Sequence, residues 1–360
     1  MTPRLRNAAL ALAPLAASLA ASTPAQAAQP PAAKANAAAT FRNPLKTDGA
    51  DPWMGYHDGW YYLATTTVMD VRLRRARTIA GLRDAPDKVV WTDEHPARFR
   101  DIWAPEFFLM DAGGGRGPRW YLYYTAADGV DTNHRMYVAE SAGTDPLGPY
   151  TFKAKLKTDP EDAHYAIDGT VLKTPDGSLY FVWCGRPSPA KQGLYISRMS
   201  NPWTLTGPRD HLPADGFGCD IVREGPSFLQ RGGKVFLIYS ACAADTADYR
   251  LGMLTAEATG DLMNPASWKQ HPRMIFGRVD QWGVFGPGHN SFFKSPDGTE
   301  DWIVYHAKVG SAQNYRDRTT RAQPVTWTAE GVPLLGLPLP LESDVPVPSG
   351  EAKQPSTPPR

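Results

Sequence analysis

The chain has 360 residues, 42% hydrophobic and 21% charged, with a formal net charge of +1. That length holds one large domain or two ordinary ones, and the near-neutral charge argues against nucleic acid or an anionic membrane as a partner. The 11 Trp, 15 Tyr and 13 Phe point to a core rich in β-sheet, with some rings free to line a sugar-binding cleft.

In chain order, the first element is an export signal over residues 1–27. Arg4 and Arg6 form a basic head, residues 8–21 are apolar, and Ala25-Gln26-Ala27 is a small-x-small cleavage site. The apolar run is too short to span a bilayer and contains Pro14. A mature protein starting near Ala28 is expected, secreted or periplasmic. Residues 28–39 read as a flexible Pro/Ala lead, residues 40–345 as the folded domain, and 346–360 as a disordered Pro-rich tail. Three cysteines, Cys184, Cys219 and Cys242, allow one disulfide and leave one thiol over; the count does not pick the pair.

From residue 50 onward, short β-rich runs bounded by Gly, Pro, Asp and Asn replace any helical period. A turn followed by an aromatic-rich strand occurs five times, at 58–67, 118–127, 176–185, 232–241 and 300–309. Another strand precedes each turn, beginning DPWMGY, PEFFLM, DGTVLK, EGPSFL and HNSFFK. A third strand follows in each copy, and KVVWT at 88–92 fits a fourth. Neighbouring copies lie 55 to 65 residues apart. Units of three or four antiparallel strands at this period predict an all-β fold, a five-bladed β-propeller; a pair of β-sandwiches is the competing architecture. Aligned at their turns, the copies place Asp51, Glu106, Asp168, Glu224 and His289 in one register. In a propeller those positions ring one mouth of the central channel, where an acid is partly desolvated and needs a use or a partner.

Several separated motifs, in order, carry a family resemblance: NPL…GADPW at 43–53, IWAPE at 102–106, AIDGTV at 166–171, REGP at 223–226, GPGHNSF at 286–292, WIVYHA at 302–307 and Arg321-x-Gln323-Pro324. With them the chain resembles glycoside hydrolase family 43, the five-bladed β-propeller enzymes. The resemblance covers about residues 41–340. It implies inverting hydrolysis by three acids: Asp51 as general base, Glu224 as general acid, and Asp168 orienting the acid and tuning its pKa. It implies no cofactor for the chemistry. His289 matches a histidine that in relatives orders a calcium or a water near the axis; the other reading is a satisfied channel histidine. The motif combination looks closest to exo-acting α-L-arabinofuranosidases acting on plant cell-wall oligo- or polysaccharides. A β-xylosidase, an endo-arabinanase or a non-catalytic sugar-binding propeller are the alternatives. A monomer is expected.

Sugar recognition needs flat apolar faces and polar groups for hydroxyls. Trp53 and Trp103 are the leading stacking candidates and Trp183 the next; His164 and Tyr165 are expected at the pocket rim, and Arg321 matches a sugar-contacting arginine of some relatives. Glu106 shares the register of the acids, but the resemblance gives its segment a shape-forming role.

Overall fold

The computed structural model describes residues 39–188 and 191–351; the predicted signal, most of the lead and residues 352–360 lie outside the described residues. A short strand, β1 (Thr40–Phe41), precedes five antiparallel four-stranded sheets. The first contains β2 (Trp53–His57), β3 (Trp60–Thr66), β4 (Val71–Ala76) and β5 (Lys88–Trp91). The second contains β6 (Arg100–Asp111), β7 (Pro118–Ala127), β8 (Arg135–Ser141) and β9 (Tyr150–Lys155). The third contains β10 (Tyr165–Lys173), β11 (Leu179–Ser188), β12 (Lys191–Asn201) and β13 (Thr204–His211). The fourth contains β14 (Arg223–Arg231), β15 (Lys234–Ala241), β16 (Arg250–Glu257) and β17 (Lys269–Gln270). The fifth contains β18 (Phe285–Lys294), β19 (Asp301–Lys308), β20 (Arg318–Trp327) and β21 (Pro333–Leu334), and β22 (Val345–Pro346) ends the chain of strands. Strands follow sequence order in every sheet. The architecture is a five-bladed β-propeller.

The second strand of each blade is apolar on both faces because a neighbouring blade covers each face. β15, for example, is buried without a break from Val235 to Ala241. Five apolar clusters lie between successive blades, and the last joins Phe293, Trp302 and Val304 of blade five to Met54, Tyr61 and Leu63 of blade one. Each fully buried Leu or Ile in them contributes roughly 1.5–3 kcal/mol.

Ring closure also uses backbone pairing. Residues 45–49 run beside β20: Leu45 N–H donates to Thr320 O at 2.8 Å and Gly49 N–H to Arg318 O at 2.9 Å. Gly49 is required by this approach, since a Cβ there would lie 2.0 Å from Thr320 Oγ1. The lacing delivers Asp51, two residues on, next to Arg318.

The folded part continues past residue 345, where composition alone ended it. β22 pairs with β1, Ser349 N–H donates to Glu300 Oε2 at 2.9 Å, and Glu351 Oε2 accepts from Ile79 N–H at 2.8 Å. Proline masks such a segment in sequence, yet an edge strand tolerates its missing donor. Cys219 and Cys242 form the disulfide, leaving Cys184 as a buried thiol.

Candidate active site

Each inner strand opens with the same irregularity. Every blade has a residue with positive φ there: Asp51 (51°), Ala104 (43°), Asp168 (56°), Gly225 (54°) and His289 (44°). In blades two to five the pairing register slips around it, between Trp103 and Glu106, Ile167 and Thr170, Glu224 and Ser227, and Gly288 and Ser291. A bulge of this kind re-aims side chains at the end of a strand. It also corrects the register read from the turns. Asp51, Asp168 and His289 are structural equivalents, but Glu224 falls one residue before its blade's left-handed position and Glu106 two residues after.

A second repeat holds these bulges in place. The residue opposite the one before each left-handed position lies toward the end of the middle strand: Thr66, Thr125, Cys184, Ser240 and His306. In four blades the left-handed residue's N–H donates to such a side chain of the preceding blade. Ala104 donates to Thr66 Oγ1 at 2.8 Å, Asp168 to Thr125 Oγ1 at 3.0 Å, His289 to Ser240 Oγ at 2.8 Å, and Asp51 to His306 Nδ1 at 3.1 Å. Blade four differs. Its predecessor offers Cys184, a weak acceptor, and Gly225 N–H donates to Asp168 Oδ2 at 3.2 Å instead. The broken repeat thus ties Asp168 to the backbone of the residue after Glu224.

Asp51, Asp168, Glu224 and His289 line one pocket of about 400 Å³, to which all five blades contribute. Around Asp51 the partners are dense. Its Oδ1 accepts from Arg318 Nη1 at 3.0 Å and lies 3.2 Å from His289 Nδ1, and its Oδ2 accepts from Thr66 Oγ1 at 2.7 Å. Burial alone would push this carboxyl up, but Arg318, then His289 and His306, outweigh it and hold the group well below the usual carboxylate range. His306, fully buried, is itself pushed down to about 4 by burial. Its ring stacks on Tyr249 at 5.5 Å, and the Tyr249 hydroxyl donates to Glu224 Oε1 at 2.8 Å.

Glu224 and Asp168 form the opposite pole. Ligating atoms of Asp168, Glu224 and His289 lie within 4.8 Å of one another. Burial, opposed by the Tyr249 hydrogen bond and aided by the charge of Asp51, pushes Glu224 up to about 7. Burial, then the charges of Glu224 and Asp51, drives Asp168 well above its ordinary value. Two buried carboxyls this close titrate as a pair, and both are pushed toward the protonated form. The pocket therefore sets a carboxyl pushed toward ionisation against an acid pair pushed toward protonation, an arrangement suited to moving one proton from a water and another onto a leaving oxygen.

The sequence-predicted recognition residues divide. Trp103 and Tyr165 line the pocket; Trp103 stacks on His134 at 4.0 Å, and the Arg186 guanidinium lies 4.0 Å over the Tyr165 ring. His164 is half-buried beside them, its backbone N–H donating to Asp159 Oδ2 at 3.1 Å. Trp53, Trp183 and Arg321 are corrected. Trp53, two residues beyond the left-handed Asp51, packs on Phe107 and Trp120 and faces a separate cavity of about 280 Å³. Glu106 lines that second cavity, accepting from Thr170 Oγ1 at 2.7 Å. Trp183 belongs to a middle strand covered on both faces and is 0% exposed. Arg321 is also fully buried and donates to Thr319 Oγ1. Residues three apart on a strand face opposite sides, and Arg318 is the arginine of β20 that meets the site. The sequence reading passed over Arg318, Arg186, Tyr249 and His306; only His306 had a signal, inside the YHA of the fifth blade.

The model of the family described as glycosyl hydrolases family 43 matches residues 41–333. The chain belongs to glycoside hydrolase family 43. Family 43 relatives similar to it include an extracellular exo-α-(1→5)-L-arabinofuranosidase of Streptomyces avermitilis, 38% identical over 94% of this chain and 70% of that protein. An α-L-arabinofuranosidase 43 of Humicola insolens is 36% identical over 86% of this chain and 66% of its own length. Among solved structures, an α-L-arabinofuranosidase from Lactobacillus brevis superposes with a TM-score of 0.76 at 32% identity, covering 84% of this chain and 98% of that one. As a family 43 member the chain is a glycoside hydrolase acting on carbohydrate, with chemistry that needs no cofactor.

Proposed function

We propose that this protein is an exported, exo-acting α-L-arabinofuranosidase that hydrolyses with inversion and acts on arabinan or arabinose-decorated plant oligo- and polysaccharides. The observation that carries the reading is one pocket in which Arg318 pairs with Asp51 while Asp168 and Glu224 lie buried close to each other. Walls from all five blades favour a pocket for a chain end over an open groove, which supports exo action. The names of the relatives support arabinofuranose as the released sugar and export as the destination.

In this reading Asp51 Oδ1 or Oδ2 takes a proton from water as the oxygen attacks the anomeric carbon. Glu224 gives its proton to the departing glycosidic oxygen, and Asp168 takes up part of the change in charge. The Tyr249 hydroxyl and Gly225 N–H orient the two acids throughout.

The calcium that the family likeness suggests beside His289 does not fit these residues directly. Calcium takes six to eight oxygen ligands. Here the convergent donors are one imidazole and two carboxyl groups, fewer oxygens than calcium takes. The proton transfers above use no metal.

The test is proton NMR of p-nitrophenyl α-L-arabinofuranoside turnover, with p-nitrophenyl β-D-xylopyranoside as comparison. The expected result is arabinose appearing first as the inverted anomer, with Asp51→Asn and Glu224→Gln slowed 10²–10⁴-fold on arabinan. Release of xylose alone, or first appearance of the retained anomer, refutes the proposal.

A further inference from the structure

Two exposed apolar side chains stand at the pocket mouth without a place in the core. Tyr315 is 66% exposed and Val68 41%, and both line the pocket. Each is held there by local structure. Val68 has a φ of 75°, a left-handed conformation that a β-branched residue adopts only under constraint. The constraint is a reciprocal backbone pair: Val68 N–H donates to Ile102 O at 3.2 Å, and Ile102 N–H to Val68 O at 2.9 Å.

Tyr315 rides on residues 309–317, between β19 and β20. The ammonium of Lys308, a residue 1% exposed, donates to the carbonyls of Asp245 at 2.6 Å, Asn314 at 3.1 Å and Ala312. A buried cation is strongly unfavourable unless paired or hydrogen-bonded, and here its partners are carbonyls of two mouth loops. Asn314 N–H donates to Asp245 O and Gln313 Nε2 to Asp245 Oδ2, both at 2.9 Å. Arg318 Nε donates to the Tyr315 carbonyl at 3.0 Å, so the arginine that holds Asp51 also fixes the backbone under the ring. The aromatic face is preorganised at the entrance.

We infer that Tyr315 and Val68 form the receiving surface for the leaving-group side of the substrate, the sugar next to the one released. The inference rests on the arabinofuranosidase reading. The charged floor of the pocket reads one ring through directional hydrogen bonds. The mouth offers apolar area, which packs on the flat face of a sugar and reads shape more than hydroxyl pattern. Selectivity is therefore concentrated in the released arabinose, and the retained sugar is accepted in more than one linkage.

The experiment measures kcat and KM on α-1,5-linked arabinotriose for wild type, Tyr315→Ala, Tyr315→Phe and Val68→Gly. The Ki of free arabinose, which needs only the pocket floor, is measured beside them. The expected result is a KM raised about tenfold in Tyr315→Ala, restored in Tyr315→Phe, with the arabinose Ki within about twofold of wild type. Val68→Gly raises KM severalfold without lowering the melting temperature, because glycine adopts this φ without strain. An unchanged KM in Tyr315→Ala overturns the inference while arabinose release by wild type leaves the functional reading standing. A parallel rise of KM and Ki also overturns it, since the effect would then reach the floor. A wild type that releases no arabinose sinks both.

Discussion

Arg318 Nη1 donates to Asp51 Oδ1 at 3.0 Å, across 267 residues of sequence. The two meet because residues 45–49 run alongside β20 and close the ring there. The guanidinium is the largest influence opposing the upward push of burial on Asp51, so the propeller's closure also sets the charge of the proposed base.

Replacing that arginine therefore has a signed effect. In Arg318→Ala the Asp51 carboxyl rises toward the value burial dictates, and a larger share is protonated at any acidic pH. The acid limb of the kcat/KM profile is expected to move up by at least about one unit, with greater loss at pH 5 than at pH 7. An unmoved acid limb would show that Asp51 is held ionised by other groups.

The alkaline limb reports the acid pair. Activity is expected to fall as pH rises through about 7, where Glu224 loses its proton. Tyr249→Phe removes a hydrogen bond that favours the ionised form, so the limb should shift to higher pH. Measuring the full profile with a substrate of poor leaving group checks the sign; a downward shift contradicts it.

Cys184 tests the broken repeat. In Cys184→Ser a hydroxyl stands where Thr125, Ser240 and Thr66 serve the other blades and competes for Gly225 N–H. Asp168 loses a donor that favours its ionised form, so the alkaline limb is expected to rise and kcat to fall severalfold. Cys184→Ala, which offers no acceptor, should leave the profile near wild type. Identical profiles for both variants would argue that the thiol has no such influence.

Glu106 predicts a stability effect of opposite sign to most acids. Burial pushes it up to about 8, with the Thr170 hydrogen bond opposing. Between its ordinary value and about 8 the folded state binds a proton that the unfolded state has released, so stability declines as pH rises through that window. Glu106→Gln removes the dependence. Thermal melts should show the variant above wild type at pH 8 by a few degrees and level with it near pH 4.5; the reverse order would refute the placement of a buried, proton-binding carboxyl.

Much was legible before any coordinates. Five aromatic middle strands spaced 56 to 68 residues apart announce five sheets, because a strand covered on both faces must be apolar throughout. Asp51, Asp168 and Glu224 stood out as acids where such strands begin. The error at Glu106 lies in strand register. Aligning copies at their turns cannot register the extra residue of a bulge, so Glu106 was set level with Asp51 although the bulge carries it into another cavity. Arg321 was taken from the family likeness, but it is buried, and Arg318, three residues earlier on the strand, faces the site.

By itself, then, the sequence determined the repeat, the strand order within each blade and the polar residues that open the inner strands, since these follow from local periodicity and from residue types out of place in an apolar pattern. Tertiary structure decided which carboxyl is pushed toward ionisation and which toward protonation. Those states depend on Arg318, His289, His306 and Tyr249, groups from distant segments that reach the acids only once the ring has closed and excluded water around them.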